Sequence, residues 1–140
     1  MPDIELQVEI GAPARRIWTA LTTSYGLRAW WWAQWDDVLI AVDARVGGAY
    51  RMSADAAGLV VAGVYTEVDR DAGRLAFTWE WSDHERTSAG EACEIVVTPA
   101  GDGSRLTLRH TWPAGDVDPG ERYRSRWTDL LAQLTTAVVR

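Results

Sequence analysis

Hydrophobic and polar residues alternate strictly from Asp3 to Ile10, a pattern that is typical of a half-buried strand. Pro13 follows this strand at a position suited to the first turn of a helix, and Ile17 and Leu21 then recur at helical spacing. The pattern therefore predicts a strand, a helix and a second short helix over about residues 25–31.

Between residues 37 and 112 the pattern changes to six hydrophobic runs, separated by turn residues at short intervals. The predicted strands lie at residues 38–43, 49–55, 59–68, 74–81, 89–98 and 104–112. Six consecutive strands with short connections favour an antiparallel meander. A two-residue turn at Gly101 and Asp102 would place Cys93 opposite His110, with the apolar residues of both strands on one face.

The last part of the chain predicts one long amphipathic helix. Asp118, Pro119 and Glu121 form an arrangement that resembles a capping box. The hydrophobic residues that then repeat at helical spacing are Tyr123, Trp127, Leu130, Leu131, Leu134 and Val138. Such a helix must cover an apolar surface, and the concave face of the sheet is the only candidate large enough. We therefore expect a single α+β domain over residues 1–140, in which a curved antiparallel sheet wraps around the C-terminal helix.

Composition and charge narrow the classes of function. The chain of 140 residues has a net charge of −6, and all 14 of its basic residues are arginine. Nucleic-acid binding needs a concentrated basic surface, and none is visible, so we expect no nucleic-acid partner. The absence of lysine excludes a Schiff-base lysine and a P-loop lysine. Many Ala and Arg residues, without Lys or Asn, suggest a GC-rich bacterial genome.

Cysteine, histidine and the apolar stretches bear on location and cofactors. The single Cys93 cannot form an internal disulfide and fits a reducing compartment. We find no leader-like segment, and the longest uncharged stretch, residues 59–66, is too short to span a bilayer. We therefore expect a cytoplasmic protein without membrane insertion. His84 and His110 give no metal-ligand spacing, so we expect neither a metal nor a cofactor.

Nine tryptophans against one phenylalanine suggest a ligand pocket. Phe77, Trp79 and Trp81 share one face of a predicted strand. Such rings fill a core or line a pocket for a flat apolar ligand, and the pattern leaves both open. The four tryptophans between residues 30 and 35 are expected at the pocket mouth or packed on the long helix. The candidate ligand-binding residues are Trp31, Trp32, Tyr50, Met52, Tyr65, Phe77, Trp79, Trp81, His110, Trp112, Trp127 and Leu131.

His110 is the polar residue of greatest interest on the inward face. We expect a buried imidazole bonded to a backbone carbonyl or to Cys93, with a ligand contact or a general base as the alternative. Cys93 beside His110 lacks a third, orienting group, and buried single cysteines are usually inert. The sequence therefore predicts no catalytic residue.

Several segments resemble a known family. They are the Trp31-Trp32 pair, residues 42–51, Gly63 with Tyr65, residues 75–79, residues 106–110, and Trp127 with Leu130 and Leu134. Over nearly its whole length the chain is similar to proteins homologous to the C-terminal domain of the Hsp90 ATPase activator, in the START-like (SRPBCC) superfamily. The most specific piece is the D-x-R-x-G-G run that ends at Gly47 and Gly48, where we expect positive φ or a bulge. The chain has Arg126 where this family often has Gly.

The resemblance implies the helix-grip (Bet v 1-like) fold, β-α-α-β6-α, with a cavity that commonly holds an apolar small molecule. The leading hypothesis is therefore a non-catalytic binding protein for an apolar or aromatic ligand between the concave sheet and the C-terminal helix. The alternative is a polyketide cyclase, aromatase or hydrolase that uses His110 and a tyrosine as acid and base. A chaperone-associated role is the third hypothesis. Antiparallel edge strands also allow a homodimer.

Overall fold

Seven β-strands and three α-helices make up the computed structural model, which describes all 140 residues. The strands are β1 (Asp3–Ile10), β2 (Val38–Val42), β3 (Ala49–Ala54), β4 (Leu59–Asp69), β5 (Arg74–Ser82), β6 (Glu91–Ala100) and β7 (Gly103–Thr111). The helices are α1 (Ala14–Thr22), α2 (Ser24–Arg28) and α3 (Gly120–Val138), and a short 3-10 turn covers Asp55–Ala57. The predicted order of elements is confirmed.

All neighbouring strands pair antiparallel in one sheet of order β1-β7-β6-β5-β4-β3-β2. The hairpin of β6 and β7 has the predicted register, because Cys93 opposes His110 and Ile95 opposes Leu108. Side chains alternate along each strand, so one face of this hairpin carries the buried residues and the other carries the polar ones. The predicted meander is confirmed, and β1 extends it by pairing with β7.

Helix α3 buries one stripe of side chains in the core that it shares with the sheet and α1. The stripe consists of Tyr123, Trp127, Leu131, Leu134 and Val138. The start of the helix differs from the predicted capping box, because Pro119 takes the N-cap position and makes no side-chain cap. Asp118 instead accepts a hydrogen bond from the Gly120 N–H at 2.9 Å, which closes a turn before the helix. No helix, α3 included, is long and apolar enough to cross a membrane.

Helix α2 ends at Arg28, before the predicted bound at 31, and residues 29–34 form turns. Trp32 has a φ of 50° and is the only non-glycine residue with a positive φ. This left-handed conformation cannot continue a right-handed helix, so the chain turns here. We call residues 30–35 the tryptophan segment, because four of these six residues are tryptophan.

The connection between β2 and β3 depends on two glycines. Gly47 has a φ of 84°, which confirms the expected positive φ. Gly48 has no positive φ, but a Cβ there would overlap the carbonyl oxygen of Asp43. The pair also joins β4, because the Gly47 N–H donates to the Tyr65 carbonyl at 2.8 Å and the Tyr65 N–H donates to the Gly48 carbonyl at 2.9 Å.

Candidate functional site

An open cleft of about 500 Å³ lies between the tryptophan segment, the end of β5 and α3. Clefts of roughly 300–1,000 Å³ with mainly apolar walls are typical of small-molecule sites. Most of the lining residues here are hydrophobic. The principal wall residues are Trp31, Trp32 and Trp35 from the tryptophan segment, Trp79 and Trp81 from β5, and Trp127 and Leu130 from α3.

The walls of the cleft are held together by ring packing. The ring centroid of Trp31 lies 6.1 Å from that of Trp79 and 5.8 Å from that of Trp127, both in edge-to-face arrangements. The Trp30 indole N–H donates to the Ala20 carbonyl at 2.9 Å, which fastens the tryptophan segment to α1. Edge-to-face pairs contribute beyond the area they bury. The cleft is therefore shaped by side chains that already fix one another.

Two buried indole N–H groups in these walls, those of Trp31 and Trp79, have no hydrogen-bond acceptor. Both rings pack edge-to-face against aromatic neighbours. Leaving these two buried donors without an acceptor is unfavourable.

A cluster of four hydrogen-bonded side chains lies buried beside the cleft. The Tyr123 hydroxyl donates to both oxygens of the Glu91 carboxylate, at 2.7 and 2.9 Å. His110 Nε2 lies 2.8 Å from Glu91 Oε1, and the Trp127 indole N–H donates to His110 Nδ1 at 3.0 Å. The rings of His110 and Tyr123 stack with centroids 4.2 Å apart. The cluster fastens α3 to β6 and β7.

Hydrogen-bond chemistry fixes the proton on His110. An indole N–H can only donate, so His110 Nδ1 must accept from Trp127 and the imidazole proton lies on Nε2. Nε2 then donates to Glu91, and every polar atom of the cluster has a partner. Burial, and then the hydrogen bond to Glu91, raise the pKa of the Tyr123 phenol, so this hydroxyl remains a donor at neutral pH.

The sequence suggested different partners for His110. Its side chain is fully buried, as expected, but it bonds to Glu91 and Trp127 rather than to a backbone carbonyl or Cys93. The carboxylate and the indole are stronger partners for an imidazole than a buried thiol. Burial raises the pKa of the Cys93 thiol, and no hydrogen bond joins it to His110.

Arg126 is the only cationic residue that lines the cleft. Its guanidinium carbon lies 4.4 Å from the ring centroid of Trp81, a cation–π contact that a glycine at this position could not make. Burial, and then the charges of Arg86 and Arg122, lower the pKa of Arg126. The Trp81 ring is held in turn by Asp83, whose carboxylate accepts its indole N–H at 2.8 Å.

A second space, of about 30 Å³, lies deeper between the centre of the sheet and α3. This volume suits about one water molecule and no larger ligand. Tyr50 and Tyr65 border it, and the Tyr50 hydroxyl donates to the carbonyl of Thr78. Burial raises the pKa of Tyr50, and burial followed by the charge of Asp43 raises the pKa of Tyr65 to about 12. At this depth the inward rings fill the core.

The predicted ligand-binding residues fall into three groups. Those that line the open cleft are Trp31, Trp32, Trp79, Trp81 and Trp127. Those that line the smaller space alone are Tyr50, Met52, Tyr65 and Phe77. Those that line neither space are His110, Trp112 and Leu131. Of the four tryptophans of the tryptophan segment, only Trp35 is partly exposed, so the segment serves both as a cleft wall and as core.

Sequence reasoning missed Glu91, Tyr123 and Arg126 as site residues. One signal was present, since period-two alternation places Glu91 on the same face as Cys93 and Ile95. The sequence places Tyr123 in the buried stripe of α3, but helical spacing does not show which group accepts a hydrogen bond from its hydroxyl. Arg126 gave no signal beyond its departure from the family pattern.

A curved antiparallel sheet around a long C-terminal helix, with an apolar cleft between them, defines the helix-grip fold of SRPBCC proteins. Within that class the chain belongs to the family described as Activator of Hsp90 ATPase homolog 1-like protein, whose model matches residues 11–138. The resemblance seen in the sequence is confirmed.

Solved structures cover the chain almost end to end. The crystal structure of protein CV1439 from Chromobacterium violaceum has a TM-score of 0.77 at 26% identity, over 97% of this chain and 96% of that chain. MLL2253 from Mesorhizobium loti has a TM-score of 0.82 at 18% identity, over 99% of this chain and 98% of that chain. The solution structure of the Aha1 dimer from Colwellia psychrerythraea has a TM-score of 0.76 at 18% identity, over 99% of this chain and 96% of that chain. No curated protein matches the chain.

Proposed function

We propose that this protein binds an apolar or aromatic small molecule in the cleft between the tryptophan segment, β5 and α3. The observation that carries the proposal is the size and lining of this cleft, about 500 Å³ with mainly hydrophobic walls. The 30 Å³ space beneath it is too small for such a ligand. The ligand would therefore lie at the open end of the space between sheet and helix.

The position of His110 favours binding over acid–base catalysis. Its side chain has no exposed surface, and both ring nitrogens are hydrogen-bonded to protein groups. A ligand in the cleft would meet Tyr123 and Trp127 before it could reach the imidazole. A general base must lie within hydrogen-bond reach of the proton that it removes, so His110 is a positioning residue for α3 in this proposal.

Native mass spectrometry of gently purified protein, compared with the denatured protein, is the first experiment. A discrete extra mass that disappears on denaturation would support the proposal and give the mass of the ligand. The same spectrum reports the number of subunits, which tests the homodimer that the edge strands β1 and β2 allow.

A titration with neutral aromatic compounds of two to four rings, 2-naphthamide among them, tests the cleft directly. Trp35→Ala removes a partly exposed wall residue and should weaken binding about tenfold. Tyr25→Ala is the matched control, since Tyr25 is 87% exposed and lies outside the cleft, and binding should not change. The proposal fails if no extra mass is found and no compound binds, or if both variants behave alike.

A further inference from the structure

The open cleft has a charged end as well as apolar walls. Arg126 reaches it from α3, with its guanidinium over the ring of Trp81. Arg86, in the connection between β5 and β6, lies close enough for its charge to act on Arg126 and on Tyr123. A concentration of arginine is unexpected on a chain whose net charge is −6.

The two arginines lack protein partners. Arg126 Nη1 and Arg86 Nη2 are buried nitrogens without a hydrogen-bond acceptor. No carboxylate oxygen lies within salt-bridge distance of either guanidinium, since the ion pairs of the chain involve other residues. A buried donor without an acceptor is unfavourable, and two neighbouring cations add repulsion. An anion bound to Arg126 would supply acceptors for its donors and reduce this repulsion.

Asp83 lies close enough for its charge to act on Arg126 and Arg86, but it forms no ion pair with either guanidinium. Asp83 already accepts the Trp81 indole N–H on one oxygen and the backbone N–H groups of Glu85 and Arg86 on the other. Asp129 also lines the cleft but forms no ion pair with Arg126. The guanidinium of Arg126 therefore remains available to a molecule in the cleft, whereas Arg86 lies outside the lining.

We propose that the ligand of this cleft is an aromatic or apolar carboxylate, whose carboxylate group binds Arg126 at the Trp81 end of the cleft, with Arg86 as a nearby positive charge. This inference rests on the proposed function, because it specifies the chemistry of the same ligand. A guanidinium matches a carboxylate with paired N–H donors, while the tryptophan walls accept a flat hydrocarbon body. The apolar part would extend from Trp81 toward the tryptophan segment.

The test compares two probes of the same shape, 2-naphthoate and its uncharged amide 2-naphthamide, by isothermal titration calorimetry. Wild-type protein should bind 2-naphthoate at least about tenfold more tightly than 2-naphthamide. Arg126→Gln should weaken binding of 2-naphthoate about tenfold more than it weakens binding of 2-naphthamide. Arg86→Gln, which removes only a nearby charge, should weaken binding of 2-naphthoate less than Arg126→Gln does. Arg124→Gln is the matched control, an exposed arginine of α3 outside the cleft, and should change neither affinity.

The outcomes separate the two proposals. Equal binding of both probes, unaffected by Arg126→Gln, would overturn the anion site and leave the apolar binding function standing. Failure of both probes and of the wider neutral panel to bind would overturn both. Arg126→Lys, which keeps the charge but loses the paired donors, should retain part of the preference for 2-naphthoate. Urea midpoints of all variants confirm that each one is folded before titration.

Discussion

Removing the Tyr123 hydroxyl measures what the buried cluster contributes to stability. Tyr123→Phe keeps the ring and its stack on His110 at 4.2 Å, and deletes only the donor that lies 2.7 and 2.9 Å from the Glu91 oxygens. Glu91 then retains His110 as its donor within the cluster. Hydrogen bonds to charged groups contribute about 1.5–3 kcal/mol, so we expect the free energy of unfolding to fall by about 2 kcal/mol.

Urea unfolding followed by tryptophan fluorescence measures this change. Tyr25→Phe is the matched control, because Tyr25 is 87% exposed. It should change the free energy of unfolding by less than about 0.5 kcal/mol. The dependence of the free energy on urea should be the same in both variants, since neither alters the surface exposed on unfolding. For a domain of this size a loss of about 2 kcal/mol corresponds to a decrease in Tm of about 6 °C.

A double-mutant cycle that combines Tyr123→Phe with Glu91→Gln tests whether the loss of unfolding free energy comes from the hydrogen bonds between these two residues. Tyr123 donates to both oxygens of Glu91, and glutamine has a single, uncharged acceptor oxygen, so Glu91→Gln weakens the hydrogen bond from Tyr123. We expect a coupling energy between the two substitutions above about 0.5 kcal/mol. The reasoning is refuted if Tyr123→Phe costs no more than Tyr25→Phe, because ring packing alone would then hold α3 to the sheet.

Three further predictions follow from the backbone, the thiol and an exposed carboxylate. Gly47→Ala should lower the free energy of unfolding by about 1–2 kcal/mol because of its positive φ, and Gly48→Ala should lower it further because its Cβ would meet the Asp43 carbonyl. Equal urea midpoints for these two variants would contradict this. Burial raises the pKa of the Cys93 thiol, so Ellman's reagent at pH 8 should react slowly with the native protein. In urea the reagent should label one thiol per chain. Rapid labelling of the native protein would show that the thiol is accessible. Hydrogen bonds from Trp81 and from backbone N–H groups lower the pKa of Asp83 from 3.8 to about 2, so its contribution to stability is present above pH 3.8 and is lost as the pH falls toward 2. Because this group is only partly buried, the effect is small. The effect should be reduced in Asp83→Asn but kept in Asp116→Asn when urea midpoints are compared from pH 5 to pH 2. Equal declines in both variants would count against this prediction.

The fold could be predicted from the sequence because its elements have clear periods. β1 and the hairpin of β6 and β7 follow alternation of period two, and the buried stripe of α3 follows helical spacing. The end of α2 could not be predicted in this way. α2 ends at Arg28, and the chain then turns at Trp32, which has a left-handed conformation and a ring 6.0 Å from that of Trp81, a residue distant in the sequence.

The candidate site could be predicted only in part. The aromatic walls could be predicted because Trp79 and Trp81 lie two residues apart on one strand and therefore on the same face of the sheet. The polar cluster was not visible, because Glu91 meets His110 and Tyr123 across 19 and 32 residues of sequence. A carboxylate is expected at the surface unless its donors are known, and the donors come from other elements. The position of the 500 Å³ cleft likewise depends on how the tryptophan segment turns.

The pairing of β1 with β7 has a consequence for the newly synthesised chain. Asp3 and Arg109, 106 residues apart, form an ion pair at 2.8 Å across these strands. At a ribosomal rate of about 5–20 residues per second, β1 would wait roughly 5–20 s for its partner strand to be made. The hairpins from β2 to β7 can meanwhile form from local contacts, so β1 is expected to dock late. During that interval the nascent protein presents an unpaired strand with one apolar face to whatever chains or chaperones surround the ribosome.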